Sequence, residues 1–112
     1  MNAEKIFLYD EDNFAEIERY DGVAMVRFYA DWCKPCHDSE PFFDTAALQL
    51  GDNIKVGKVN TLLAPVLTAK YGIWGVPNVL VFKKGQVVKH LTGPQSASML
   101  INALSPYLSD AI

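Results

Sequence analysis

Long apolar runs are missing from this chain of 112 residues. A membrane-spanning helix needs about 20 consecutive apolar residues, and every stretch here falls far short. Cysteine is scarce too: Cys33 and Cys36 are the only two. A pair so close in sequence cannot staple distant segments, which excludes the disulfide framework of small secreted domains. Neither sign of charge dominates. Lys and Arg total 10 against 13 for Asp and Glu, for a formal net charge of −3. These charges are interspersed, so no basic stripe points to nucleic acid and no polybasic cluster to a lipid surface. The opening Met1-Asn2-Ala3-Glu4-Lys5-Ile6 lacks a basic segment followed by an apolar one, so a cytoplasmic location is expected. Repeats, low-complexity tracts and linkers are absent as well. Half of the residues are hydrophobic, enough for one core and hardly for two, so one domain over residues 1–112 is expected.

What the chain does have is an alternation of strand-like and helix-like segments. Ile6 to Tyr9 is a short apolar run. Asp10 to Asp12 then offer an N-cap and first-turn negative charge to a helix with Phe14, Ile17 and Tyr20 at helical spacing. After the Asp21-Gly22 turn, Val23 to Ala30 is nearly unbroken apolar sequence, which marks a central strand covered on both faces. A second helix carries Glu40, Phe42, Phe43, Ala46, Ala47, Leu48 and Leu50, with a kink expected at Pro41 and an end at Gly51-Asp52-Asn53. Ile54 to Asn60 reads as a third strand and Pro65 to Lys70 as a short helix. Val79 to Phe82, Lys83-Lys84-Gly85 and Gln86 to Leu91 read as strand, turn and strand. Ser96 caps a last helix with Met99, Leu100, Ala103 and Leu104 on one face, and Met25 and Met99 are expected in the core. The order βαβαβαββα predicts an α/β fold with a mixed sheet of about five strands flanked by about four helices.

In open α/β sheets the functional crevice lies beyond the carboxyl ends of the strands, and Cys33 falls just where the central strand hands over to its helix. A thiol attacks as thiolate, and a free Cys at pKa ~8.5 is mostly protonated at neutral pH, so the site must favour the anion. The unpaired N–H groups and the dipole of the helix start do so, with roughly half a positive charge. Lys34 adds a cation, and Pro35, whose fixed φ suits the first helical position, rigidifies the loop. Two intervening residues put Cys36 about one turn along, close enough for the sulfurs to bond. Cys33 is expected at the exposed end as the nucleophile that forms a mixed disulfide, and inward-pointing Cys36 as the thiol that resolves it.

The segment Phe28-Tyr29-Ala30-Asp31-Trp32-Cys33-Lys34-Pro35-Cys36 resembles the active-site strand and loop of the thioredoxin family, whose usual form is Trp-Cys-Gly-Pro-Cys. Further matches follow in order: Pro41 for the helix-kinking proline, Lys58 for the strand lysine, Tyr71-Gly72-Ile73 before the substrate loop, Val76-Pro77 for the cis-proline pair, and Gly85 and Gly93 for the late glycines. The resemblance covers nearly the whole chain. It implies a thiol–disulfide oxidoreductase that works through its own Cys33–Cys36 disulfide, with no other cofactor. No metal is expected either, because only His37 and the distant His90 could join the pair where structural zinc wants four ligands. By the resemblance, its partners would be protein disulfides or dithiols and an electron-donating reductase of thioredoxin reductase type, and the chain itself would be a monomer. The resemblance also implies a cis Pro77, backbone pairing of an extended substrate segment with Val76, and a docking rim of Trp32, Thr61, Trp74, Gly75 and Gly93.

Departures from the family pattern are informative. Arg27 stands where the family usually carries a buried Asp thought to move the proton of the second thiol, and a guanidinium favours nearby thiolates where a carboxylate disfavours them. Together with Lys34 in place of Gly, it is expected to make the disulfide more oxidising than usual. The competing reading has Arg27 snorkelling to solvent or pairing with a carboxylate, leaving Lys58 or a water to carry the proton. Trp74 replaces a commonly polar residue, as a substrate anchor or as packing against Trp32, and Asn78 stands where Thr is common. Cys33-Lys34-Pro35-Cys36-His37 also satisfies the haem-attachment pattern C-x-x-C-H, but its setting is a strand-to-helix turn, and His37 and His90 read as surface residues. The rival function is a thioredoxin-fold binding module, redox-inactive or specific to one client.

Overall fold

The computed structural model describes residues 5–108. Its elements are β1 (Ile6–Tyr9), α1 (Ala15–Glu18), β2 (Val23–Tyr29), α2 (Lys34–Leu50), β3 (Ile54–Asn60), α3 (Pro65–Lys70), β4 (Asn78–Lys83), β5 (Gln86–Thr92) and α4 (Ala97–Leu108). A 3-10 turn, Gly51–Asn53, links α2 to β3. The strands form a five-stranded sheet in the order β1-β3-β2-β4-β5. β1 and β2 flank β3 in parallel, whereas β4 runs antiparallel to both β2 and β5. The mixed α/β fold expected from the sequence is thus the one observed.

Side chains of β2 alternate between two cores, as the pleat requires. Ala24, Val26 and Phe28 join Phe14, Ile17, Leu67 and Phe82 on the α1 and α3 side. Val23 and Met25 join Phe43, Ala46, Leu100 and Leu104 on the α2 and α4 side. By the same alternation Arg27 faces α2, among the apolar residues of a strand buried along almost all its length. Its register partner on β3 is Lys58, which lies on the same face as Ile54 and Val56. Two cations therefore sit side by side beneath α2.

Some local expectations gave way to tertiary packing. α1 is shorter than its apolar spacing suggests, and no side chain caps it. Asp10 instead closes a turn: its carboxylate accepts the Asp12 N–H, and its own N–H donates to Asn13 Oδ1. The N–H groups at the start of α3 find an acceptor far away in sequence, because Glu11 Oε2 receives both Val66 N–H and Leu67 N–H at 2.9 and 3.1 Å. Met25 is buried, but Met99 is 53 % exposed, because α4 turns Leu100 and Leu104 inward, with Ala97, Ile101 and Ala103 packed beside them. α2 runs through Pro41 as one helix.

Lys84 and Gly85 join β4 to β5 with positive φ at both residues, 53° and 78°, the conformation that favours Gly in a two-residue hairpin turn. A Cβ on Gly85 would fall 2.1 Å from the Glu18 carbonyl oxygen, a backbone atom that cannot swing away. Gly85→Ala is therefore expected to destabilise the protein by about 1–3 kcal/mol, read as a lower denaturant midpoint with unchanged slope. A neutral effect would mean that this turn is not held against α1.

Candidate functional site

Three segments converge at the carboxyl end of β2. The first is the end of β2 at Tyr29, from which a short turn through Ala30, Asp31 and Trp32 leads to Cys33. Cys33 is the N-cap of α2, in extended conformation at φ −90° and ψ 109°, and its Sγ accepts the Cys36 N–H at 3.1 Å. A helix needs an acceptor for its first N–H groups, and here the sulfur is that acceptor. Pro35, in the first turn, has no N–H to satisfy. Cys33 and Cys36 are joined in a disulfide, with their Cα atoms 5.2 Å apart.

The second segment is the loop before β4. The Val76–Pro77 peptide is cis, as the resemblance implies. The Val76 carbonyl oxygen lies 3.7 Å from Cys33 Sγ, and Asn78 Nδ2 donates to the Gly75 carbonyl at 3.2 Å. The third segment follows β5, where the Gly93 N–H donates to the Pro77 carbonyl at 2.9 Å and ties the two loops together. Thr61 is fixed in turn by its N–H and hydroxyl, both donating to the Tyr29 carbonyl.

Exposure separates rim from centre. Trp32 is 73 % and Trp74 96 % exposed, so Trp74 does not pack against Trp32. Gly75 is exposed as well, Thr61, Val76 and Gly93 are half-buried, and Pro77 is buried. Leu62 and Leu63, which the sequence reading passed over, add large apolar surface next to Thr61. One expectation needs correction. Cys33 was expected at the exposed end of the pair, yet it is 2 % exposed against 1 % for Cys36. In the disulfide form both sulfurs sit in a small cluster with Ala30, covered by Tyr29 and Val76. Their difference lies in position: Cys33 precedes the helix between exposed Trp32 and exposed Lys34, whereas Cys36 is inside the first turn, above Arg27.

Arg27 does not snorkel. It is 2 % exposed, its Nη2 donates to the Cys36 carbonyl at 2.5 Å, and its guanidinium lies 5.2 Å from the centre of the Tyr29 ring. Its Nη1 lies 3.7 Å from Glu40 Oε2 and has no hydrogen-bond partner among the described residues. Burial lowers its pKa from the ordinary value, with Glu40, Asp44 and Tyr29 opposing; a guanidinium nevertheless stays charged. Lys58 bridges two carboxylates, Glu40 at 2.7 Å and Asp44 at 3.0 Å. Both carboxylates lie on α2 at successive four-residue steps from Cys36, so they share its face. That spacing was visible in the sequence. What it would meet depended on the pairing of β2 with β3.

On the outer side of α2, Lys34 pairs with Asp38 at 2.9 Å with both groups well exposed, so solvent screens much of its charge. His37 is exposed, and its Nε2 donates to the Asp31 carbonyl at 2.6 Å. His90 is exposed on β5. No helix of the described residues is long and apolar enough to cross a membrane.

A protein-family model described as Thioredoxin matches residues 5–106. The chain is similar to a thioredoxin of Porphyra purpurea, 36 % identical over 94 residues that cover 84 % of this chain and 88 % of the relative. It is also similar to thioredoxin 1 of Synechococcus elongatus, 39 % identical over 85 residues covering 76 % and 79 % respectively. Among solved structures, a Malassezia sympodialis thioredoxin superposes with a TM-score of 0.83 at 26 % identity, over 92 % of this chain and 90 % of that one.

The carboxyl of Glu40 is held below its ordinary pKa, chiefly by the hydrogen bond from Lys58, against the opposing effect of burial. Its charged form is favoured in the fold. The resulting stabilisation is therefore present above the unfolded carboxyl pKa of about 4.3 and is lost as pH falls through the lower folded value. Lys58→Met should cost about 1–2 kcal/mol at neutral pH, between a surface and a buried pair. It should also flatten the acid limb of a plot of unfolding midpoint against pH; an unchanged limb would show that this bridge is not formed in solution.

Proposed function

We propose, since the chain belongs to the thioredoxin family, that it is a general protein-disulfide reductase in which Cys33 attacks and Cys36 resolves. Thioredoxins are thiol–disulfide oxidoreductases that work with their own redox-active cysteines. The observation that carries this reading is the Cys33–Cys36 bridge at the start of α2, with the Cys36 N–H on Cys33 Sγ at 3.1 Å. In the reduced protein the same N–H, the helix dipole and Lys34 stabilise a Cys33 thiolate.

An extended substrate segment pairs its backbone with Val76 beside Pro77 and lies across Trp32, Thr61, Trp74, Gly75 and Gly93. The Cys33 thiolate attacks one sulfur of the substrate disulfide, a mixed disulfide forms, and the other substrate sulfur leaves as thiolate and takes a proton. Cys36 then loses its proton and attacks Cys33 Sγ, which restores the intramolecular bridge and releases the second substrate thiol. Two electrons have passed from the protein to the substrate. A reductase of thioredoxin reductase type returns them to the Cys33–Cys36 disulfide. The chain acts as a monomeric single domain in the cytoplasm.

Arg27, buried beneath Cys36, and Lys34 favour the thiolates over the bridge. The disulfide is therefore a stronger oxidant than an ordinary thioredoxin's, for which about −270 mV is the general value.

In an insulin-reduction assay with a dithiol reductant the wild type should be active. Cys33→Ser should abolish turnover, and Cys36→Ser should stall as a trapped mixed disulfide. A wild type without activity would favour the binding-module reading. Equilibration with glutathione should give a potential above about −270 mV; a value at or below it overturns the proposed tuning by Arg27.

A further inference from the structure

We infer that Glu40 sets the redox potential of the Cys33–Cys36 pair by neutralising Arg27, an inference that rests on the exchange activity proposed above. Arg27 is held on the α2 side of the sheet by the alternation of β2, and there it touches the peptide of Cys36 through the carbonyl hydrogen bond. Its charge needs an answer, because a buried unpaired cation is costly. Most of its surroundings give none. Ser39 and Phe43 of α2, Pro77, Val79 of β4, Gly93 and Leu100 of α4 line the small cavity beside it, and none carries a charge.

The charged and titratable groups facing Arg27 come from three elements. β2 supplies Tyr29, under the guanidinium, and β3 supplies Lys58, its register partner. α2 supplies Glu40 and Asp44, with His37 acting on Glu40 from further off. Among the described residues Glu40 is the one carboxylate within 4 Å of Arg27, at 3.7 Å. The same oxygen, Oε2, also takes the Lys58 ammonium at 2.7 Å. One carboxylate oxygen thus serves two cations, and Asp44 holds Lys58 from the other side at 3.0 Å. With all four groups charged the cluster sums to zero.

Glu40 lies one helical turn beyond Cys36, on the same face. It touches neither sulfur by a hydrogen bond and is a positioning residue: its charge decides how much of the Arg27 field reaches them. With Glu40 charged, the field at the sulfurs is that of a loosely paired cation. Remove that charge and Arg27 keeps no carboxylate within 4 Å among the described residues, only the weaker pull of Asp44, to which Lys58 stays tethered. Thiolates are then favoured, the reduced form gains stability, and the disulfide becomes more oxidising.

Glu40→Gln keeps shape and helix propensity and removes only the charge. In equilibrium with glutathione it should favour the reduced dithiol about tenfold more than the wild type, which is about 30 mV for a two-electron couple. Titration of the reduced protein by thiolate absorbance should show the lower thiol pKa moving down as well. Asp44→Asn, which leaves the Arg27 contact intact, should shift the equilibrium less. In an Arg27→Leu background the effect of Glu40→Gln should fall below half, the signature of coupling between the two sites. Glu40→Ala gives the same comparison should the Gln variant not fold. A Glu40 variant with native circular dichroism and the wild-type potential overturns the inference, as does an equal effect with and without Arg27. Absent insulin reduction by the wild type would instead sink the exchange activity itself.

Discussion

The sulfur of Cys33 takes the place of the oxygen that usually caps a helix, and the rest of the site depends on that contact. Because Cys33 stands at the N-cap of α2, the Cys36 N–H has no preceding helical turn to bond to and points at Cys33 Sγ instead. That hydrogen bond and the disulfide close the loop together, and the electropositive helix end comes to lie on the Cys33 sulfur. Pro35 fits because that turn has no use for its missing N–H. The cis Val76–Pro77 peptide and the Gly93 N–H then form the wall opposite.

Beneath this turn lies a charged layer that a hydrophobic core would ordinarily exclude. Arg27 and Lys58 are adjacent on paired strands, and Glu40 and Asp44 are adjacent on the helix above. The arrangement is tolerable because each cation meets a carboxylate, and because Glu40 and Asp44 are both part-exposed, so their hydration is not wholly lost. Arg27 is the exception in depth, with its guanidinium divided between the Cys36 carbonyl, the Tyr29 ring and a distant Glu40. A cation with such diffuse pairing, bonded to the Cys36 carbonyl, ties the sheet to the first turn of α2.

Much of this was legible before any coordinates. The unbroken apolar run of β2 announced a strand with both faces covered, the alternation of β3 and the Lys84-Gly85 turn announced their elements, and the cysteine spacing announced the turn between strand and helix. Where the reading failed, a longer-range partner had prevailed over a local rule. Asp10 closes a turn although it stands where a cap would, and α3 is capped by Glu11, distant in sequence but on the same side of the sheet. Met99 sits within an apolar helix pattern but turns outward, since the face of α4 that packs on the core is centred on Leu100 and Leu104. Cys33 is covered by Tyr29 and Val76, whose approach no local spacing encodes.

By itself the sequence determined the order of elements, the central place of β2, the site's location at that strand's end and the identity of the two reacting sulfurs. These follow from periodicity and spacing within a few residues, which the chain carries wherever it folds. Only the tertiary structure decided what Arg27 would meet. The register of β2 on β3 set Lys58 beside it, and the packing of α2 across both strands brought Glu40 and Asp44 over the pair. Electrostatic effects depend on distances between groups brought together by folding, and those distances exist only once sheet and helix have closed on one another.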